Sequence, residues 1–215
     1  MNPYQKMLNV YRRDRETNIL TDEFAVPEFG HLLEAPWEAT EKLDGTNVRL
    51  ILDLTSRFKV WGRSDGAQLP PKLHEHCAAL ETRIRRAFDV ATDVCLYGEG
   101  VGPRIQKGGE RYGDTQHFRL FDVKVGRWWL TGEQVREVGD GLGIPVAPFI
   151  GTMTLGTAIS MWWDWPEPPR SRIFDGVPEG WVLRPAGGLL FRSGDPIRAK
   201  IKERDFAVLR KAGAV

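Results

Sequence analysis

Lys42-Leu43-Asp44-Gly45 puts an amine, a carboxylate and a glycine turn within four residues. A lysine at a strand end beside a tight Asp-Gly turn is a candidate nucleophile, with the turn letting a nucleotide approach the backbone. The same residues serve equally well as a solvated lysine before an ordinary turn, and chance alone supplies the pattern in about one chain of this length in twenty. Five further segments follow: Gly62-Arg63-Ser64-Asp65, Tyr97-Gly98-Glu99-Gly100, Phe118-Arg119-Leu120-Phe121-Asp122-Val123, Glu179-Gly180-Trp181-Val182-Leu183-Arg184 and Lys200-Ile201-Lys202. If residues 197–202 are extended, Arg198, Lys200 and Lys202 share one face, with Ala199 and Ile201 on the other. Taken alone, that strand is as readily a solvated sheet edge.

In this order the segments resemble the motifs of the covalent nucleotidyltransferase superfamily of ligases and capping enzymes. The lysine motif, Thr40 to Asn47, is most similar to the double-strand nick-sealing branch of the RNA ligase family, in which Thr-Asn follows the glycine. DNA ligases more often carry arginine where Asn47 stands. The resemblance spans the chain and is looser between 127 and 175. It implies a ligase-type nucleotidyltransferase (ATP-grasp-like) core in which Lys42 attacks ATP to form lysyl-AMP. The AMP then passes to a 5′-phosphate, and the strand is sealed to a 3′-OH.

The resemblance also implies roles. Lys42, Lys200 and Lys202 are catalytic, and the two C-terminal lysines also neutralise the triphosphate. Glu99 holds the ribose, Phe121 stacks on the purine, and Glu179 contacts magnesium or manganese directly or through water. Glu41 serves the adenine edge or the surroundings of the nucleophile. Asn47 and Arg63 handle phosphate, and Asp44, Arg63, Gln106 and Lys107 meet the polynucleotide. Two of these assignments have equally ordinary readings, Phe121 as a core residue and the glycine-rich segment 102–109 as a surface loop.

The chemistry requires an uncharged amine, whereas an ordinary lysine is almost entirely ammonium at neutral pH. Burial and a cationic neighbourhood disfavour the ammonium, and the face carrying Arg198, Lys200 and Lys202 is expected to supply that charge.

The elements that must position these groups read as mostly strands. Residues 48–54, 58–62, 94–98, 118–125, 181–183, 189–191 and 197–201 are rich in β-branched and aliphatic residues between turn signals. Leu73, Cys77, Leu80, Ile84 and Phe88 fall at helical spacing and predict one amphipathic helix over 72–88. His74 and His76 on it point about 200° apart and cannot share a metal. Thr131 with Gln134 forms a capping box for a helix ending near 139–143, and further helices are predicted over 155–163 and 204–211. The first 35 residues read as an irregular or helical lead-in, and 165–171 as a proline-rich loop. Phe121 and Asp122 are expected on opposite sides of their strand. Trp128, Trp129, Trp162, Trp163 and Trp165 read as packing residues of one lobe. Without regular βαβ alternation, the pattern predicts α+β with largely antiparallel sheets and flanking helices.

The 215 residues carry a net charge of +1, with 41% hydrophobic and 27% charged content, the composition of a globular chain. No apolar run is long enough to span a membrane and the N-terminus lacks a signal-peptide core, so no membrane partner is expected and the cytoplasm is. Cys77 and Cys95 read as reduced, buried thiols. Basic residues concentrate in 196–211, where a local field would draw nucleic acid: nicked or broken RNA, an RNA/DNA hybrid or DNA. The expected organisation is a single adenylation domain over 1–215 with no appended OB-fold or helical domain. A partner protein or self-association would then supply the missing surface. The rival enzyme is an ATP-dependent DNA ligase, and the rival of another kind is an inactive nucleotide-binding scaffold.

Overall fold

The computed structural model describes residues 3–88, 92–163 and 167–212, without the side chains of the last four. Trp165 and the side chains of Arg210 and Lys211, in the basic stretch 196–211, therefore lie outside what is described. By its contacts the chain divides into two compact units, one of residues 1–5 and 43–147, the other of 6–42 and 148–215.

The second unit begins with β1 (Leu8–Asn9), β2 (Tyr11–Arg13), β3 (Leu20–Phe24), α1 (Pro27–His31) and β4 (Pro36–Glu41). These strands correct the expected lead-in. β2 and β3 form an antiparallel hairpin whose turn is built by Asp14. Its Oδ1 accepts from the backbone N–H of Glu16 and Thr17 and from the Thr17 hydroxyl, and Asn18 takes a left-handed φ of 57°. The charged run Arg12-Arg13-Asp14-Arg15-Glu16 hides the alternation that would mark a strand. β1 pairs with a segment almost two hundred residues away, a partner that local pattern does not reveal.

In the first unit, β5 (Thr46–Leu52), β6 (Phe58–Trp61), α2 (Pro71–Ala78), α3 (Glu81–Ala87), β7 (Val94–Val101), β8 (His117–Val125), β9 (Trp128–Trp129) and α4 (Gly132–Leu142) follow in order. The sheet runs β6-β5-β7-β8-β9 and is antiparallel throughout. The single helix expected over 72–88 is two, broken at Ala79 and Leu80, where the Leu80 N–H bonds to the Cys77 carbonyl three residues back. The apolar stripe survives the break. Leu73, Cys77, Leu80 and Ile84 all pack against Val48, Leu50, Leu96 and Phe118 on one sheet face. Thr131 caps α4 with the predicted box.

The second unit resumes with β10 (Phe149–Thr154), α5 (Leu155–Trp163), β11 (Gly180–Pro185), β12 (Ala199–Lys202) and α6 (Glu203–Ala212). Its sheet order is β1-β12-β11-β4-β10, antiparallel except for β1 beside β12. Trp37, Ala39, Trp181, Leu183, Ala199 and Ile201 point into a core with Trp162 and Phe206. The strand expected at 189–191 reduces to one isolated bridge, Leu190 to Pro196, because the chain turns back at once through a bond from the Phe191 N–H to the Asp195 carbonyl. The architecture is α+β with largely antiparallel sheets, as the pattern predicts.

The tryptophans do not form one lobe. Trp129 packs on Tyr97 in the first unit, Trp162 and Trp163 pack on Trp181 and Phe206 in the second, and Trp128 is 73% exposed at the end of its sheet. Cys77 and Cys95 are free and buried. Among the described residues, no helix is long and apolar enough to cross a membrane.

Candidate active site

In the second unit, β11 is antiparallel to both of its neighbours. Its first residues therefore lie beside the last residues of β4 and of β12. Backbone bonds fix the junction: the Lys42 N–H donates to the Gly180 carbonyl at 2.9 Å, and the Glu203 N–H to the Glu179 carbonyl at 3.0 Å. Gly180 is required there, since a Cβ would stand 1.9 Å from the Ile201 carbonyl oxygen. The register places Lys200 opposite Val182 and Lys202 opposite Gly180, with Ala199 and Ile201 buried beneath them. Residues 42, 179, 200 and 202, far apart in the chain, are thereby gathered.

Glu179 sits between two lysines. Lys42 Nζ donates to its Oε2 at 2.6 Å and Lys202 Nζ approaches its Oε1 at 2.8 Å. Burial pushes the Glu179 carboxyl up, but Lys42 and Lys202 together outweigh it and hold the carboxyl below its usual range. The cationic neighbourhood acts on Lys200. Burial first, then the charges of Lys202 and Lys42, bring its amine down to about 8 against the opposing pull of Glu179. Lys42 itself has an anion at its nitrogen in addition to the expected cations, Lys200 and Lys202, in its neighbourhood. Arg198, predicted on the same face, is buried.

Glu41 is 1% exposed. Its Oε1 accepts from the Ser171 hydroxyl at 2.7 Å and its Oε2 from the Arg172 N–H at 2.8 Å, so the carboxylate anchors the 171–172 loop one residue from Lys42.

In the first unit, the remainder of the lysine motif meets the glycine-rich segment. Asp44 accepts from Arg111 at 3.0 Å, its N–H donates to the Tyr112 hydroxyl at 2.9 Å, and Gln106 Nε2 donates to the Gly45 carbonyl at 3.0 Å. A Cβ at Gly45 would stand 2.2 Å from the Gly100 carbonyl oxygen, so this glycine admits the chain's own strand β7. Lys107 is exposed on the same segment. Asn47, Glu99 and Arg119 are register partners on three adjacent strands and share one sheet face. The Asn47 Oδ1 is buried without a hydrogen-bond partner, an acceptor that a ligand donor could satisfy.

Arg63 is exposed in the loop after β6. Sequence reasoning missed what holds that loop. Arg49, fully buried, donates to the Gly62 carbonyl at 2.9 Å and to Asp65 at 2.7 Å. The available signal was a charged residue inside the aliphatic run Val48 to Leu52.

Phe121 is the extra residue of a β-bulge, since Tyr97 pairs with Asp122 while Gly98 pairs with Leu120. The bulge breaks the two-residue alternation, so Phe121 and Asp122 do not part to opposite sides. Both meet Tyr4, Phe121 edge-on with centroids 5.0 Å apart and Asp122 through the Tyr4 hydroxyl at 2.8 Å. Phe121 is half-buried in this aromatic group.

Among the described residues, no three His, Cys, Asp or Glu side chains gather where they could hold a metal. Glu179 offers one carboxylate. That fits an ion taking most of its ligands from phosphate oxygens and water, the habit of magnesium.

The family model described as RNA ligase matches residues 35–202. No curated protein matches the sequence. Among solved structures the chain is similar to Naegleria gruberi RNA ligase. An apo point mutant of that enzyme superposes with a TM-score of 0.67 at 17% identity, over 100% of this chain and 60% of that one. A second point mutant, with ATP and Mn, gives 0.66 at 17%, over 98% and 60%. The enzyme with PPi gives 0.66 at 18%, over 100% and 61%. The chain thus spans about three-fifths of the solved ligases it matches.

Proposed function

We propose that this chain, which belongs to the RNA ligase family, is an adenylation domain that carries the ATP-dependent covalent step of RNA ligation on Lys42. The Lys42 nitrogen forms a bond to the α-phosphorus of ATP, the bond to the bridging oxygen breaks, and pyrophosphate leaves with the electron pair. The lysyl-AMP then gives its AMP to a 5′-phosphate, and a 3′-OH displaces AMP to join the strands. The observation that supports this reading is the arrangement Lys42–Glu179–Lys202, at 2.6 and 2.8 Å, with the depressed amine of Lys200 alongside.

Each group has a task. Glu179 aims the Lys42 nitrogen and, being in hydrogen-bond contact, offers a path for the proton it must lose. Lys200 and Lys202 supply charge where phosphate oxygens gain it. A divalent ion, magnesium or manganese, arriving with the nucleotide would screen the α-phosphate, with Glu179 as its protein ligand. Glu99 and Asn47 are proposed for the ribose and phosphate, Phe121 for the purine, and Asp44, Arg63, Gln106 and Lys107 for the polynucleotide. The buried free thiols are compatible with a reducing cytoplasm.

Labelled ATP incubated with protein and magnesium tests the central step. An acid-labile AMP adduct that is absent in Lys42→Ala is expected. No adduct with ATP in the unaltered chain overturns the proposal. Nicked RNA and nicked DNA duplexes, given to the same preparation, separate the two strand chemistries through their 2′-OH contacts. Adding candidate partner fractions to the sealing reaction, or raising the protein concentration, tests the need for a partner or a second copy.

A further inference from the structure

Beside the lysine cluster, on the outer strands of the second unit, lies a groove of about 810 Å³. Six cationic residues line it, Lys6, Arg12, Arg13, Lys200, Lys202 and Arg204, against one carboxylate, Asp205. Some of these charges are answered. Arg13 donates to Asp205 at 2.5 Å and to the Asn18 carbonyl at 2.7 Å, Lys202 meets Glu179, and Arg12 meets Glu23 at an exposed 2.9 Å pair. The side chains of Lys6 and Lys200 make neither an ion pair nor a hydrogen bond among the described residues, and Lys200 has only the more distant pull of Glu179 against its like-charged neighbours. Lys6 adds to the like charges that depress Lys200. Unanswered positive charges facing one groove are an anion site in waiting.

We propose that this groove carries the phosphates of a single-stranded polynucleotide and leads it toward Lys200 and Lys202. The walls decide between a strand and a free polyphosphate. Tyr11, Met7, Leu8 and Ala25 line the groove together with the cations, and the Tyr11 ring is stacked on Phe24 with centroids 5.5 Å apart, so it is held as a rigid plate. A polyphosphate has no apolar surface to offer such walls. A nucleic-acid strand has sugars and bases as well as phosphates, and grooves for single strands combine positive charge with aromatic faces. Four of the cations, Lys6, Arg12, Arg13 and Arg204, are contributed by chain outside the motif segments. The identity of the strand as RNA rests on the proposed function; the groove and its charge do not.

The test uses Lys6→Ala/Arg12→Ala/Arg204→Ala, which leaves Lys42, Glu179, Lys200 and Lys202 in place. The probe is a fluorescein-labelled oligoribonucleotide of about 12 nucleotides with a 5′-phosphate, followed by anisotropy across a salt series. At about 0.7 per phosphate contact, losing three contacts flattens the log–log salt slope by about 2 and weakens binding about a hundredfold near 0.1 M salt. Lysyl-adenylate formation should stay at the wild-type rate. A charge-keeping set, Lys6→Arg/Arg12→Lys/Arg204→Lys, should bind as the wild type does. Wild-type binding by the alanine set overturns the inference, as does equal loss in the charge-keeping set. Loss of adenylation with RNA binding intact also overturns it, because the groove would then serve the nucleotide's own phosphates. If the unaltered chain forms no adduct yet the alanine set still loses RNA, the proposed function falls and the groove stands.

Discussion

Lys200 carries a cost that can be measured without any substrate. Burial, followed by the charges of Lys202 and Lys42, lowers its amine from 10.5 to about 8. At about 1.4 kcal/mol per unit, the folded state disfavours this ammonium by about 3 kcal/mol in full. The side chain is only half-buried, so screening by water leaves about 1–2 kcal/mol. Unfolded Lys200 keeps its proton up to about 10.5, whereas folded Lys200 gives it up above about 8. Between those values the unfolded state binds more protons and stability rises with pH; below them both states are protonated and the whole cost is borne. Lys200→Met keeps most of the length of the side chain and removes the charge. The variant is expected to exceed the wild type in stability by about 1–2 kcal/mol near pH 7, with the gap closing between about pH 8 and about pH 10.5. Urea unfolding followed by tryptophan fluorescence reads this, and the difference between the two proteins cancels the titrating groups that do not interact with Lys200. A variant no more stable at neutral pH, or a gap that stays constant with pH, refutes the reasoning.

Glu179→Gln removes the anion shared by Lys42 and Lys202. Lysyl-adenylate formation should fall by about 10²–10³ with the far-ultraviolet circular dichroism unchanged, and a wild-type rate would take Glu179 out of the mechanism. Burial holds the Cys77 and Cys95 thiols up at about 12. A thiol reagent at mildly alkaline pH should therefore label neither in the folded protein and both after unfolding; prompt labelling of the folded chain would contradict the packing.

The residues, together with the family resemblance they carry, were enough to suggest the chemistry, and the alternation beneath it was legible. Lysine, glutamate and the two terminal lysines stood out by type and order, and the Ala199/Ile201 alternation correctly turned Lys200 and Lys202 away from the core. Helix caps such as Thr131 with Gln134 were legible because both partners lie within one turn. What local pattern could not decide was pairing at a distance. That Glu179 lies between Lys42 and Lys202 depends on β11 running antiparallel to both neighbours, and this register is a property of three segments at once. β1 is a strand because β12 is beside it, and Phe121 meets Tyr4 because one extra residue in β8 shifts the side-chain alternation. Tertiary structure also decided which amine is depressed. The type of a residue makes it titratable, but burial and the charges that folding brings near it set where it titrates.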